Sequence, residues 1–217
     1  MNRITTFYTS SVGRKLLMGL TGFFLCSFLV VHLYINLFLL KSDSGQTFDA
    51  YSEFMATYPL IRPIEIVLFL GFLLHVFIGV WLWFINRRAR PERYALHRAS
   101  DTSALSSRVM FWTGTFVFVF LVLHINTFFV RSRFLDTDTP MYEIVAQTFK
   151  DPWVDAFYIV ALFFLGYHLL HGFQSAFQTF GIRHERYKTL IDLLAIVFWL
   201  LIPLCFAAIP LYFLWAH

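Results

Sequence analysis

The stretch that decides the fold is YIVALFFLGYHLLHGFQSAFQTFG, from Tyr158 to Gly181. It is long and apolar enough to cross a membrane, which takes about 20 residues at about 1.5 Å each. Yet it keeps two histidines, His168 and His171, deep inside the apolar run. An imidazole has two ring nitrogens that need partners, and hydrocarbon offers none. A span that retains such a group has something for it to bind. Working outward, three other apolar windows each carry one interior histidine: His32, His75 and His124.

Composition agrees with a membrane chain. Of 217 residues, 59% are hydrophobic and only 14% charged, where a soluble domain is nearer one quarter charged. Mean hydropathy is +0.66. The first apolar run, Val12 to Leu40, is too long for a cleavable signal and reads as a retained span. Cys26 and Cys205 both fall inside apolar runs and read as small buried side chains, not as a disulfide or zinc site.

Five windows pass the length test, roughly 13–40, 63–86, 108–131, 153–180 and 189–215. The expectation is an all-α polytopic membrane bundle of five transmembrane helices, forming one domain over 1–217. No internal repeat is expected. Ser10-Ser11, Pro63, Asp151-Pro152 and Gly181 are placed to start or stop spans. Pro203 and Pro210 should kink the fifth. Arg3, Arg14, Lys15, Arg87, Arg88, Arg90, Arg93, Arg98, Arg108, Arg183, Arg186 and Lys188 would share one side; Lys41, Arg62, Arg131, Arg133 and Lys150 the other. The richer side reads as cytoplasmic, with the N-terminus inside and the C-terminus outside. This asymmetry accounts for the pI of about 9.2 without nucleic acid as a partner.

Depth orders the histidines. His32 and His124 each lie about five residues past the middle of an outward-running span, roughly 7 Å toward the outside. His75 and His168 lie near the middle of inward-running spans. Two pairs at two depths suit two stacked bis-histidine haems. Zinc or non-haem iron would recruit carboxylates or cysteines at these depths, whereas Glu65 and Asp155 sit at span edges. Gly19, Gly22, Gly71, Gly79, Gly114, Gly166 and Gly172 offer room for a porphyrin, or simply close helix packing. The plainer reading is four unrelated histidines, each bonded to a neighbouring helix; a third is a proton path, though interior Asp and Glu are missing.

The run VVHLYIN ending at Asn36, the run HLLHGFQSAFQTFG from His168 to Gly181, and one histidine on each of four successive spans resemble a known family. It is the cytochrome b membrane anchor of bacterial succinate dehydrogenase and fumarate reductase, in its single-subunit, five-span, dihaem form. The resemblance implies a complex II anchor in the bacterial inner membrane, with two haem b. His32 and His124 would hold the outer haem iron, His75 and His168 the inner. In that family the fourth ligand precedes one glycine by four residues and a second by thirteen. His168 meets both spacings, to Gly172 and Gly181, and His171 is the alternative ligand. The implied partners are a flavoprotein and an iron–sulfur subunit on the cytoplasmic side, membrane lipid and menaquinone or another quinone, with room for a higher oligomer of the complex. The loop from Arg87 to Ser107 would touch the iron–sulfur partner. Quinone chemistry would occur at this non-flavin electron-transfer subunit, near the outer haem, with Glu53 and Tyr51 as candidates for its protons. Arg14, Lys15, Arg108, Gln174, Ser175 and Arg183 on the inner side, and Arg131 on the outer, could meet haem propionates. The alternatives are a dihaem b subunit of another quinone-linked dehydrogenase, such as a hydrogenase, and a non-haem proton-coupled membrane carrier.

Overall fold

A computed structural model describes residues 10–88, 105–182 and 184–215, without the side chains of Ser11 and of residues 105–108. Arg183, the side chain of Arg108 and most of the loop from Arg87 to Ser107 therefore lie outside the described residues. Every regular element among those described is helical. Five helices are long and apolar enough to cross a membrane: Val12–Leu40, Ile61–Arg88, Val109–Leu135, Pro152–Thr179 and Lys188–Trp215.

Local chemistry sets the boundaries. Helix α1, Ser11–Asn36, opens where Ser10 Oγ accepts the Gly13 N–H at 2.9 Å. It closes in a 3-10 turn, Leu37–Leu40. A short helix α2, Gln46–Thr57, precedes the second span, α3, Ile61–Arg88, which has Pro63 in its first turn. The third span is α4, Leu105–His124, continued by a π-helix, Ile125–Leu135. Another short helix, α5, Met141–Thr148, leads to the fourth span, α6, Pro152–Thr179. Asp151 caps α6 by accepting the Trp153 N–H at 2.9 Å, with Pro152 in the first helical position. Gly181, at φ +70°, ends it. The Gly181 N–H reaches Gln178 O at 3.1 Å and the Ile182 N–H reaches Phe177 O at 3.2 Å, the two bonds of a Schellman stop.

The fifth span comprises α7, Lys188–Ile196, a π-turn, Val197–Leu201, and α8, Ile202–Trp215. Pro203 has no N–H to give the carbonyl four residues back, that of Trp199. That carbonyl lies against span four: a Cβ built on Gly166 would sit 2.6 Å from Trp199 O. Only glycine lets the two backbones approach so closely. Pro210 lies inside α8, which continues past it to Trp215.

Spans one to four form a ring in which one packs on two, three on four and one on four, with two and three in lighter contact; span five packs outside, mainly on four. Two apolar clusters fill the bundle. One, at the end carrying α2 and α5, joins Leu39, Phe48, Phe149, Tyr158 and Phe213. The other joins Cys26, Phe173 and Ala195. The outward faces stay apolar and exposed, as at Leu70, Phe77 and Phe163, which suits lipid contact. Both short helices are tied down by polar contacts. Asp49 Oδ1 on α2 accepts the Tyr142 N–H on α5 at 2.8 Å. Arg62 and Arg133 both donate to Ala56 O at the end of α2, at 2.7 and 3.0 Å.

Packing also reveals a repeat where none was expected. A Cβ on Gly22 would meet His75 and one on Gly79 would meet Met18; a Cβ on Gly114 would meet His168 and one on Gly172 would meet Met110. The hairpin of spans one and two therefore has the same register as that of spans three and four. Aligning MGLTGFFLCSFLVVH (18–32) with MFWTGTFVFVFLVLH (110–124) matches Met, Thr, Gly, two Phe, Leu, Val and His, eight of fifteen positions, without a gap. His75 and Gly79 likewise match His168 and Gly172. The first four spans are thus two like hairpins in a common register, with span five packed outside them.

Candidate functional site

The four interior histidines meet as two pairs. The rings of His32 and His124 lie with centroids 5.8 Å apart at 88°. Those of His75 and His168 lie 6.3 Å apart at 75°. Each pair joins a residue to its own counterpart in the other hairpin. Aromatic rings surround the first pair. Phe28 stacks on His32 at 5.2 Å and Phe206 sits 5.5 Å from it, while Phe120 and Phe128 lie 5.5 and 5.1 Å from His124. Glycine makes the room at the second pair. A Cβ on Gly22 would be 3.5 Å from His75 Cε1, and one on Gly114 would be 3.2 Å from His168 Cε1.

Three of the four rings have a polar neighbour at Nδ1. Thr21 Oγ1 is 3.1 Å from His75 Nδ1, Asn36 Nδ2 is 3.3 Å from His32 Nδ1 and Tyr158 Oη is 3.4 Å from His124 Nδ1. His168 Nδ1 is buried with no hydrogen-bond partner. Sequence alone assigns Thr21, Asn36 and Tyr158 no role beside a histidine, although Asn36 and Tyr158 lie in the runs quoted above. Thr21 could have been found there, because its counterpart Thr113 sits at the same spacing from the next histidine.

Among the described residues, no three His, Cys, Asp or Glu side chains come together as they would for a bare metal ion. Each site supplies two imidazoles facing one another. An imidazole nitrogen on a metal lies about 2.0 Å away, so two rings on opposite sides of one ion have centroids about 6 Å apart. Both pairs meet that spacing. Tetrahedral zinc wants about four protein donors. Porphyrin iron brings four nitrogens and needs only two axial ligands, so the donor set fits it.

The remaining candidates scatter. His171 is half-buried in the place Ile78 takes in the first hairpin, so the repeat pairs His168, not His171, with His75. Arg14 lies over the Trp81 ring at 5.7 Å, and its buried Nε has no partner. Lys15 and Ser175 are exposed and Gln174 is half-buried. At the other end, Arg131 is engaged by Asp136 at 3.3 Å and Gln147 at 2.9 Å. Glu53 is exposed on α2, and Tyr51 stacks on Phe38 at 4.7 Å. Asp155, on the span edge, is only 2% exposed and both its carboxylate oxygens lack partners.

Residues 85–204 match the family model described as succinate dehydrogenase/fumarate reductase transmembrane subunit. The chain belongs to that family. This transmembrane subunit is also 25% identical over 176 residues to the succinate dehydrogenase cytochrome b558 subunit of Bacillus subtilis (strain 168), covering 78% of this chain and 82% of that protein. No solved structure matches it. The matched range includes His124 and His168, one from each pair, on spans three and four. Family and fold together make it a multi-pass membrane subunit of complex II.

Proposed function

We propose that this subunit is a dihaem cytochrome b, anchoring succinate:quinone oxidoreductase and carrying electrons between an iron–sulfur subunit and a membrane quinone. The carrying observation is the pair of facing imidazoles at each of two levels, 5.8 and 6.3 Å apart, with no third protein donor at either among the described residues. When bound, the two haems would supply one-electron stations. His32 with His124, and His75 with His168, would hold one iron each, and a haem held by two histidines serves electron transfer rather than oxygen chemistry.

The chain's own residues hold and insulate these stations. His32 and His124 clamp one, inside a cage of Phe28, Phe120, Phe128 and Phe206. His75 and His168 clamp the other, seated against Gly22 and Gly114. Arg14, one turn beyond Met18 and with an unpartnered Nε, is the propionate contact best supported. The arginine-rich end would face the cytoplasm and receive the iron–sulfur subunit. The end with α2 and α5 would face outward, next to the quinone, where Glu53 would exchange its protons.

A reduced-minus-oxidised spectrum with pyridine haemochrome quantitation tests this reading. Two haem b per chain are expected, with His32→Ala and His75→Ala each losing a different one. A colourless protein would sink the proposal and support a non-haem carrier. Glu53→Gln should keep both haems and lose quinone-linked turnover; full turnover removes Glu53 from the scheme.

A further inference from the structure

His168 Nδ1 is the odd one among the four Nδ1 nitrogens: buried, polar and without a partner. A buried polar nitrogen left without a partner in an apolar bundle is unfavourable. Its counterpart shows what belongs there. Thr21 Oγ1 lies 3.1 Å from His75 Nδ1. The same hydroxyl donates its single proton to backbone, to Leu17 O at 3.0 Å and Met18 O at 3.1 Å. With its proton so placed, the oxygen accepts toward the ring. A hydrogen of His75 on Nδ1 matches that acceptor and leaves the lone pair of Nε2 free for a metal.

Thr113 holds the matching place. It follows Met110 and precedes Gly114 as Thr21 follows Met18 and precedes Gly22. It is 3% exposed, in an apolar span, with no charge to explain its burial. Its hydroxyl donates to Met110 O at 3.0 Å, the bond that Thr21 makes to Met18. Its lone pairs are thus free for an N–H. The Nδ1 edge of His168 faces this turn of span three, 3.4 Å from where a Cβ on Gly114 would sit.

We infer that Thr21 and Thr113 are the paired positioning residues of the inner site. Each would accept the Nδ1 proton of the histidine on the neighbouring span and so leave Nε2 free to hold the iron. His168 completes its bond to Thr113 once the iron holds the ring. The outer pair is built differently: Asn36 Nδ2 donates to the His32 carbonyl at 2.8 Å, Tyr158 Oη lies 3.4 Å from His124 Nδ1, and Phe128 stands where a second asparagine would be. The inference rests on the haem reading above and deepens it, because an accepted Nδ1 proton raises the basicity of the ligating nitrogen and favours ferric iron.

The test uses the intact complex with Thr113→Val, Thr113→Ser and Thr21→Val, followed by redox titration of the haem bands. The inner component is the one lost in His75→Ala. Loss of one such contact typically weakens a metal site at least about tenfold. If that falls on the ferric state, the inner midpoint rises by about 59 mV per tenfold for one electron. Both Val variants should show this rise with the outer component unmoved, and Thr113→Ser should reverse it. Loss of the inner haem alone in Thr113→Val, restored by Ser, is the same result in stronger form. A wild-type midpoint in Thr113→Val beside a shifted one in Thr21→Val overturns the role of Thr113. No shift in either, with two haems still bound, overturns the pair and leaves the haem reading standing. Absence of haem from the wild-type complex instead defeats the haem reading itself.

Discussion

Two glycine-to-alanine changes in the same bundle should act with opposite sign. At Gly166 the new methyl would meet Trp199 O at 2.6 Å, and that atom is backbone. A carbon rests against a carbonyl oxygen at about 3.3 Å, so spans four and five must part by about 0.7 Å. Such overpacking costs about 1–3 kcal/mol, and an unyielding obstacle puts it in the upper half. Alanine returns up to about 1 kcal/mol in a helix interior. Gly166→Ala should therefore destabilise by about 1–2 kcal/mol. At Gly79 the methyl would meet only Met18 Cε, at 3.4 Å. That atom ends a flexible side chain, so the helix gain survives and Gly79→Ala should be neutral or stabilising by up to about 1 kcal/mol. Equilibrium unfolding in mixed micelles, followed by helicity, compares the two directly. Gly166 is two residues from His168, so the inner haem band should also be perturbed in that variant alone. A Gly166→Ala protein as stable as wild type would refute the claim that the π-turn before Pro203 presses its carbonyl onto span four.

Two further outcomes follow. His171→Ile, which copies the first hairpin, should keep both haems, whereas His168→Ala should lose the inner one; the reverse pattern in haem content would move the ligand to His171. The Asp136 carboxyl is held below the ordinary range by a hydrogen bond from Thr139, and then by Arg131. A lowered folded value means its stabilisation is complete above the unfolded value of about 3.9 and is lost as pH falls through the folded one. Asp136→Asn should therefore remove part of the acid lability of the turn after the third span. Equal protection of residues 131–139 against hydrogen exchange at pH 3 and pH 7 in the wild type would contradict this.

The five spans were legible because hydropathy over about 20 residues is a strong signal, and because Ser10, Asp151 and Gly181 are caps with a local mechanism. The short helices α2 and α5 left no such trace. At 12 and 8 residues they fall below any membrane window, and they are held by contacts between elements far apart in the chain, such as Asp49 to Tyr142. The π-segments were also hidden. The one at Val197–Leu201 goes with a missing donor at Pro203, which reads from sequence only as a kink. The pairing of histidines was readable from depth, since counting residues from span midpoints put His32 level with His124. The repeat was readable too, but only by comparing whole spans. Histidine position alone does not reveal that Met, Thr and Gly keep the same distances ahead of it.

That duplication has a geometric corollary. Each histidine meets its own equivalent, so the two hairpins contribute like for like at both pairs. A half-gene encoding a single hairpin would carry only one imidazole per centre, and two identical copies would be needed to build either one. The present polypeptide is in effect a tethered homodimer. Tethering has freed its halves to diverge: Asn36, four residues past His32, corresponds to Phe128, four past His124, an inequality that no true homodimer could encode.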